Sequence, residues 1–249
     1  MQTLALFNMK GGVGKTTAAV NLAWHSAADL KRTLLWDLDP QGSASFYVRA
    51  DGDDDARAHQ VLLGRLDAGA VIRRSPWGDL DVLPADFEAR HADLALDDLK
   101  KARKRLARAA EAVKGRYDRV FFDCPPNLSL LSDNVLRAAH FLLVPMVPSP
   151  LSLASWARLE AHLAGEGVAP ERVIPFFCMV DGRKTLHRDL VLNPPSERFC
   201  RTAIPYLSVI ERMGVERAPV AAFAPRSQAA RAFARLWAEI RQRVDGAGE

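Results

Sequence analysis

A short segment near the start of the chain combines the residue types that hold phosphate groups. Residues 10–17 read Lys-Gly-Gly-Val-Gly-Lys-Thr-Thr, directly after an apolar run and directly before a helical pattern. Glycines let the backbone curl so that its N–H groups point at phosphate oxygens, and a helix N-terminus adds partial positive charge. Lys15 has the reach for the β- and γ-phosphates of a nucleotide, and the Thr16 hydroxyl is a suitable Mg²⁺ ligand. The segment predicts a nucleotide-phosphate site formed by Gly11, Gly12, Val13, Gly14, Lys15, Thr16 and Thr17.

The loop departs from the common pattern G-x-x-x-x-G-K-[ST]. Met9 occupies the position of the first glycine, and a second lysine, Lys10, follows it. Two lysines on one loop repel each other unless a dense anion shares them, and a triphosphate is such an anion. Lys10 need not face the nucleotide of its own chain. It can instead reach the phosphates that a partner subunit binds.

Three aspartates at the ends of predicted strands supply the acidic part of a phosphoryl-transfer site. Asp37 and Asp39 follow the apolar run 33–36, and Asp123 follows the run 119–122. On an extended chain, residues two apart point the same way, so Asp37 and Asp39 can both face the γ-phosphate. A carboxylate at Asp123 can hold Mg²⁺ through water. The alternative for Asp37 and Asp39 is that they only cap the end of a strand.

Strands that are continuous apolar runs alternate with helical patterns along the chain, which is typical of a mostly parallel sheet covered on both faces. Pro145 and Pro148 are expected to stop the strand near residue 146. Ser227 is expected to cap a last helix with an apolar face of Ala230, Phe233, Trp237, Ile240 and Val244. The fold class is therefore predicted to be α/β. The patterns place strands at 3–7, 33–36, 80–83, 119–122, 141–146 and 173–179, and helices at 16–28, 61–66 and 99–113.

Composition sets the limits within which these elements are arranged. The chain has 249 residues, of which 49% are hydrophobic and 26% charged, so it can bury one sizeable core. We expect a single domain over residues 1–244 and a flexible tail over 245–249. No apolar run reaches the roughly 18 residues of a membrane span, and a cytoplasmic protein is expected. The spacing of the cysteines fits neither a disulfide framework nor a zinc cluster; they are Cys124, Cys178 and Cys200.

The last third of the chain is rich in arginine. From Arg172 to Arg243 there are 13 Lys and Arg residues against 6 Asp and Glu, while the whole chain has a net charge of +4. A basic surface favours contact with a polyanion such as DNA. The alternative is an ordinary solvated arginine-rich surface. The candidate DNA-contacting residues are Arg183, Lys184, Arg188, Arg212, Arg226, Arg231 and Arg235.

Several segments together resemble one family. KGGVGKTT at 10–17 is similar to the deviant Walker A motif of the ParA/MinD family of P-loop ATPases. LLWDLDPQGSAS at 34–45 and VFFDCPPNLSLLSDNVL at 120–136 resemble that family's second acidic motif and its Walker B and switch segment in their ParA forms. DVLPAD at 81–86 and MVDGR at 179–183 also resemble ParA proteins. The resemblance covers roughly residues 1–240, and it is much weaker after residue 185.

The resemblance assigns roles to single residues. It implies that Asp39 positions or activates the attacking water and that Asp37 supports a magnesium shell with Thr16 and Asp123. It implies that Lys10 stabilises transition-state charge in trans, across two subunits that share bound ATP. It also places the adenine site at the late strands, with Met179 and Pro205 packing on the ring and Asp181 contacting its edge. The alternative for these three is that they are ordinary core and turn residues.

The resemblance also implies a function. Short ParA-type proteins form homodimers around ATP and Mg²⁺, bind DNA without sequence preference, and lie on the nucleoid in the cytoplasm. A ParB-like protein or a cargo adaptor stimulates their slow ATP hydrolysis, and the cargo is a plasmid, a chromosome or a protein body. One alternative is a MinD-like membrane or site-selection regulator, which the polar ending RQRVDGAGE disfavours. The other is a nucleotide-dependent scaffold that regulates another enzyme.

Overall fold

The computed structural model describes residues 1–50, 58–86, 102–126 and 130–246. Within these ranges, seven strands form one sheet in the order β3-β4-β2-β5-β1-β6-β7, and only the β3–β4 pair is antiparallel. The predicted α/β class with a mostly parallel sheet is confirmed. The strands are β1 (Gln2–Leu6), β2 (Thr33–Asp37), β3 (Arg73–Arg74), β4 (Leu80–Leu83), β5 (Arg119–Asp123), β6 (Phe141–Met146) and β7 (Val173–Phe177).

Helices cover both faces of the sheet, as predicted. Short 3₁₀ turns lie at Ala68–Ala70, Ala102–Lys104 and Pro170–Arg172. The α-helices of the described ranges are α1 (Lys15–Ala28), α2 (Ser43–Tyr47), α3 (Ala58–Leu62), α4 (Arg105–Glu111), α5 (Leu130–Ala138), α6 (Pro150–Gly165), α7 (Thr185–Leu192), α8 (Ser208–Glu211), α9 (Met213–Glu216), α10 (Val220–Phe223) and α11 (Gln228–Gly246).

The core lies in two layers because successive strand residues point to opposite faces. Leu4 and Leu6 of β1 join one layer with α1, α2 and α11. Ala5 and the following Phe7 join the other layer with α3, α4, α5 and α6. Each fully buried Leu or Phe contributes roughly 1.5–3 kcal/mol relative to an exposed one. A sheet that is buried on both faces therefore holds the ends of its strands in fixed positions.

The last helix matches its sequence pattern. The Ser227 hydroxyl accepts a hydrogen bond from the Ala230 N–H at 3.1 Å, so Ser227 caps α11 as predicted. All five predicted apolar-face residues, from Ala230 to Val244, are buried. The helix continues to Gly246, two residues beyond the predicted end of the domain at 244. Residues 247–249 of the predicted tail lie outside the described residues.

A buried arginine fastens the end of α11 to the sheet. The Arg119 side chain is 3% exposed, and its guanidinium donates to Asp245 Oδ1 at 2.7 Å and to Gln2 Oε1 at 3.2 Å. It also lies 5.0 Å from the centre of the Trp237 ring. Gln2 in turn donates to the Val244 carbonyl at 2.9 Å. A buried charge is tolerated only when it is partnered, so this cluster joins β1, β5 and the end of α11.

Some predicted elements differ from those observed. Pro145 lies inside β6 and does not stop it. The Leu143 carbonyl accepts from the Phe7 N–H, so two residues later Pro145 also faces the β1 side, where β1 has ended and no N–H is needed. β7 ends at Phe177 instead of 179, because the backbone turns left-handed at Met179 (φ 56°).

The helices predicted over 61–66 and 99–113 are also shifted. They are observed as α3 (Ala58–Leu62) and α4 (Arg105–Glu111). Residues 99–101 of the second predicted helix lie outside the described residues. Among the described helices, none is long and apolar enough to cross a membrane.

Candidate functional site

The loop between β1 and α1 has the backbone shape that its glycines predict. Gly12 and Gly14 have φ values of 69° and 90°, a region that residues with side chains rarely adopt. A Cβ on Gly14 would also lie 3.6 Å from the Cβ of Cys178. Gly14 precedes α1 directly, so the first N–H groups of a 14-residue helix open toward the loop. This arrangement is suited to a bound anion.

Asn8 positions the start of this loop, and the sequence analysis missed it. The side chain is buried, with its Nδ2 donating to the Pro145 carbonyl at 2.8 Å and its Oδ1 accepting from the Lys10 N–H at 3.0 Å. It links β6 to the first turn of the loop at the point where β1 has ended. The signal in the sequence was a polar residue directly between an apolar strand and the glycines.

Lys15 folds back beneath the loop. Its Nζ donates to the Lys10 carbonyl at 3.0 Å, and the residue is 7% exposed. Burial lowers the pKa of Lys15, and the negative charges of Asp123 and Asp39 partly oppose that effect. The ammonium group is therefore held in a poorly hydrated position, where a phosphate oxygen is a stronger partner than in water.

Lys10 is held against a different element. Its Nζ donates to the Leu151 carbonyl at 2.8 Å, in the first turn of α6. The two lysines of the loop therefore have separate partners: Lys15 contacts the loop itself, and Lys10 contacts a neighbouring helix. The expectation that Lys10 reaches the phosphates of a partner subunit stays a prediction.

Asp123 is a buried carboxylate without a hydrogen bond. It ends β5 beside Asp37 at the end of β2, and its side chain is completely buried. Neither of its oxygens accepts a hydrogen bond of ordinary geometry from any described residue. Burial raises the pKa of Asp123 well above its usual value, and the charge of Asp37 adds to this, while Thr16 and Lys15 oppose it. A buried acceptor left unpaired costs about 1–3 kcal/mol, which a bound cation would offset.

These groups fit a magnesium ion that is shared with a ligand. In the described ranges, no group of three or more His, Cys, Asp or Glu side chains is arranged to hold a metal by itself. Mg²⁺ commonly binds through one or two protein oxygens, with water and substrate phosphates completing its shell. The unpartnered oxygens of Asp123 and the neighbouring Thr16 hydroxyl suit that mode.

Asp37 has a different environment from Asp123. It is 2% exposed, and its Oδ2 accepts from both the N–H and the hydroxyl of Ser45 at 2.8 Å, while its Oδ1 accepts from the Asp39 N–H at 3.2 Å. Burial raises the pKa of Asp37 to about 6, and the hydrogen bonds from Ser45 oppose the shift. The Ser45 hydroxyl also accepts from the Ala85 N–H at 2.9 Å. Asp37 thus ties β2 to α2 and to the chain after β4.

Asp39 is only partly buried and lies in the turn that leads to α2. Its Oδ1 accepts from the Gln41 N–H at 3.0 Å, and its carbonyl accepts from the Gly42 N–H at 2.9 Å. The preceding Leu38 N–H donates to the Asp123 carbonyl at 2.9 Å, so Asp39 lies near the end of β5. The structure therefore brings together the loop and all three predicted aspartates.

A cavity of about 180 Å³ adjoins the loop on its α11 side. Met179 and Pro205, both predicted to pack on an adenine ring, are among its walls. Two backbone hydrogen bonds hold these walls together, because Val180 N–H donates to the Ile204 carbonyl and Tyr206 N–H to the Val180 carbonyl, both at 3.0 Å. The cavity is lined by Gly14, Thr17, Tyr47, Cys178, Met179, Ile204, Pro205, Tyr206, Leu207, Ile210, Glu211 and Phe233.

The structure does not bring Asp181 to this cavity. Its carboxylate accepts from Nε and Nη2 of Arg183, each at 2.9 Å. These hydrogen bonds lower the pKa of Asp181 far below its usual value. The Asp181 N–H donates to Nδ1 of the buried His187 at 3.0 Å. In this structure Asp181 shapes the turn before α7, and its contact with the edge of an adenine ring stays a prediction.

The candidate DNA-contacting residues divide into two groups. Arg183 pairs with Asp181, and Arg212 pairs with Glu216, so each has a carboxylate partner. Arg188 donates only to the Gly182 carbonyl and the Thr185 hydroxyl, and Lys184 is exposed. Three arginines at and near the start of α11 are exposed and form no ion pair with any described residue: Arg226, Arg231 and Arg235.

Comparison with known proteins gives consistent matches. A family model described as an AAA domain matches residues 1–164. The sporulation initiation inhibitor protein Soj of Bacillus subtilis is 30% identical over 245 residues, which cover 95% of this chain and 97% of that protein. The chromosome-partitioning ATPase Soj of Treponema pallidum is 30% identical over 249 residues, which cover 96% of each chain.

A solved structure with bound nucleotide has a similar fold. The crystal structure of cobyrinic acid a,c-diamide synthase from Mycobacterium smegmatis, with a bound ATP analogue and magnesium, has a TM-score of 0.80 and 28% identity to this chain. The match covers 97% of this chain and 94% of that one. The similarity therefore includes the predicted phosphate loop and the elements that follow it.

Proposed function

The chain belongs to the ParA/MinD family of P-loop ATPases, and we propose that it is an ATP-dependent positioning switch. In this proposal it binds ATP with Mg²⁺, dimerises around the nucleotide and binds DNA without sequence preference. A ParB-like protein or a cargo adaptor stimulates its slow hydrolysis of ATP and so releases it from DNA. Partition of a chromosome, a plasmid or a protein cargo is the corresponding cellular role, in the cytoplasm and on the nucleoid.

The unpartnered Asp123 carboxylate beside the phosphate loop carries this proposal. Thr16 and Asp123 would hold the magnesium ion, and Asp37 would support its shell from the neighbouring strand. When bound, Mg²⁺ supplies positive charge that neutralises the phosphate oxygens. Lys15 exchanges its hydrogen bond to the Lys10 carbonyl for the β- and γ-phosphates, so the ammonium keeps a partner throughout. The N–H groups of the loop and of the first turn of α1 bind the remaining oxygens.

The cavity next to the loop suits the base of the nucleotide. Met179 and Pro205 offer apolar surfaces to a flat ring, and Gly14 and Thr17 connect the cavity to the phosphate loop. Cofactor sites are commonly clefts with mainly apolar walls and few polar groups. ATP is the ligand that this combination of a phosphate loop and an apolar cavity supports best.

Hydrolysis requires a water molecule in line with the γ-phosphate. Asp39 is the proposed group for orienting that water, because it is partly exposed and lies near the end of β5. Lys10 is proposed to leave the Leu151 carbonyl and to stabilise charge on the nucleotide of the second subunit. A site that is completed only by dimerisation turns over slowly alone, as a timing device requires.

Binding to DNA is proposed for the arginine-bearing surface. Arg226, Arg231 and Arg235 are available to phosphate groups, while Arg183 and Arg212 first have to exchange their carboxylate partners. Contacts of this kind are electrostatic and independent of sequence. The name of the Treponema pallidum relative, a chromosome-partitioning ATPase, supports partition as the setting.

The test is binding to random-sequence duplex DNA with ATP, with ADP and without nucleotide, over a series of salt concentrations. We expect binding only with ATP, and a steep loss of affinity as salt rises. Absence of DNA binding in every state would contradict the proposal. Binding to liposomes with ATP would then favour the MinD-like alternative. Absence of both DNA binding and stimulated turnover would favour the scaffold.

A further inference from the structure

One wall of the base cavity comes from an element that also contacts Asp37 at the phosphate site. Tyr47, the last residue of α2, lines the cavity together with Met179 and Tyr206. Met179 precedes Val180 and Tyr206 follows Pro205, and Val180 and Pro205 form an isolated β-bridge. The middle of α2 lies at the phosphate site, because Ser45, two residues before Tyr47, donates twice to Asp37. A single short helix therefore spans from the end of β2 to the base cavity.

α2 is also attached to the segment that carries α8 and α9. Arg49 donates to the carbonyls of Glu216 and Arg217 at 2.9 and 3.1 Å, and Arg217 Nε donates to the Phe46 carbonyl at 3.2 Å. The Tyr47 ring is within 3.8 Å of the place where a Cβ on Gly214 would lie. These contacts hold the Tyr47 ring at the cavity wall, with one side on α9 and another on the cavity.

We propose that Tyr47 packs against the nucleotide base and that α2 thereby couples base binding to the position of Asp37 and Asp39. The inference rests on the proposed nucleotide site and adds to it a contact that joins the two ends of the ligand. A phenol ring is flat and has only two side-chain torsions, so it stacks on a base with little loss of conformational entropy. Burial of that ring by a base restrains α2.

The coupling follows from what each part of a nucleotide can touch. Phosphate groups alone occupy the loop between β1 and α1 and leave the cavity at Tyr47 unfilled. A base fills the cavity, restrains Tyr47, and through Ser45 restrains the carboxylate of Asp37 and the turn that contains Asp39. Ligands that share phosphates but differ in the base therefore separate the two effects.

The first test compares the affinities of ADP and inorganic pyrophosphate, each with Mg²⁺, for the full chain and three variants. Tyr47→Ala is expected to weaken ADP binding by about tenfold and to leave pyrophosphate binding unchanged. Tyr47→Phe keeps the ring and is expected to bind ADP within about twofold of the wild type. Phe46→Ala is the matched control, because it removes an aromatic ring from the same helix at a position that does not line the cavity.

Equal loss of ADP and pyrophosphate affinity in Tyr47→Ala, or unchanged ADP affinity, would overturn the inference. Failure of the wild-type chain to bind either ligand would instead overturn the proposed nucleotide site, so the two failures are distinguishable. Loss of ADP affinity in Phe46→Ala as large as that in Tyr47→Ala would also overturn it, since general disruption of α2 would then explain both.

The second test measures the coupling by amide hydrogen exchange over residues 43–48. In the wild type and in Phe46→Ala, ADP is expected to slow exchange in this segment more than saturating pyrophosphate does. In Tyr47→Ala at saturating ADP, that difference is expected to disappear. Equal protection by both ligands in the wild type would overturn the coupling, because α2 would then respond to phosphates alone.

Discussion

The two charged regions of this molecule are built in opposite ways. At the ends of β1, β2 and β5, Lys15, Asp37 and Asp123 are buried, and their pKa values are shifted by burial and by one another. At the start of α11 and in the turn before it, Arg226, Arg231 and Arg235 are exposed to solvent. The first region therefore works by the exact placement of few charges. The second works by the number of charges and tolerates variation in their positions.

The largest expected effect is the loss of Lys15. Lys15→Ala removes a buried ammonium for which the loop has no substitute, and ATP affinity is expected to fall by at least about 100-fold. Lys10→Ala is the matched control on the same loop, and it is expected to retain ATP binding while losing turnover. Isothermal titration with a non-hydrolysable analogue checks both. Unchanged ATP affinity in Lys15→Ala would show that the phosphate loop is not part of the proposed nucleotide site.

The second prediction tests whether turnover depends on the Asp39 carboxylate at its exact position in the phosphate site. Asp39→Ala is expected to lower turnover by roughly 100- to 10,000-fold, since an oriented water molecule is lost, while ATP binding persists. The ATP-bound dimer should therefore accumulate, which size-exclusion chromatography with ATP measures. Asp29, which hydrogen-bonds Trp237 and Arg241 far from the loop, offers a control in Asp29→Ala. Unchanged turnover in Asp39→Ala would exclude Asp39 from the mechanism.

The arginine surface is expected to respond gradually. Replacing Arg226, Arg231 and Arg235 together by alanine should weaken ATP-dependent DNA binding and lower the salt slope by ~0.9 for each DNA phosphate that is no longer neutralised. Single replacements should each have a small effect. Arg32→Ala is the control, because Arg32 pairs with Asp118 and is not among the candidate DNA-contacting residues. A single replacement as severe as the triple one would show that exact placement matters on this surface too.

The smallest expected effect is on the free energy of unfolding. It should rise when the buried charge of Asp123 is removed and change very little when an exposed arginine is removed. Asp123→Asn removes a buried charge that accepts no hydrogen bond of ordinary geometry from the described residues, so the free energy of unfolding of the nucleotide-free protein in EDTA at pH 8 should rise by about 1–3 kcal/mol. For a chain of this size the gain corresponds to a rise in Tm of roughly 2–10 °C. Magnesium-dependent ATP binding should be lost in the same variant.

Arg235→Ala, on the exposed surface, is expected to change Tm very little. Differential scanning calorimetry of the two variants measures both effects. A lower Tm for Asp123→Asn would mean that the ionised carboxylate is stabilised by contacts other than a metal ion.

The sequence predicts the phosphate region well because its chemistry is local. The glycines, Lys15 and Thr16 are consecutive, and the strand ends at Asp37 and Asp123 follow from apolar runs that stop at a charge. The pairing of β2 with β5 then sets these two residues side by side. The order of strands in the sheet and the helices on both faces are consistent with the same alternation of patterns.

Contacts between distant segments were harder to predict. Asn8 donates a hydrogen bond to the Pro145 carbonyl, and Tyr47 lines a cavity formed with residues near 179 and 205. Neither contact has a signature in local spacing, because each depends on where separate elements meet. The contact of Asp181 with the base stays a prediction: Asp181 does not line the cavity, and Arg183, two residues away, binds its carboxylate.

The cluster around Arg119 has a consequence for the order in which the protein is made. The phosphate loop belongs to the first 17 residues, but Asp245 and Trp237, which neutralise and cover Arg119, belong to the last helix. While the ribosome is still translating, β1 and β5 can pair, but the part of the sheet that α11 covers stays exposed and Arg119 lacks its carboxylate partner. A nascent chain therefore has the residues of its nucleotide loop long before the core that supports the loop is closed. Cooperative folding must await the final turns of α11.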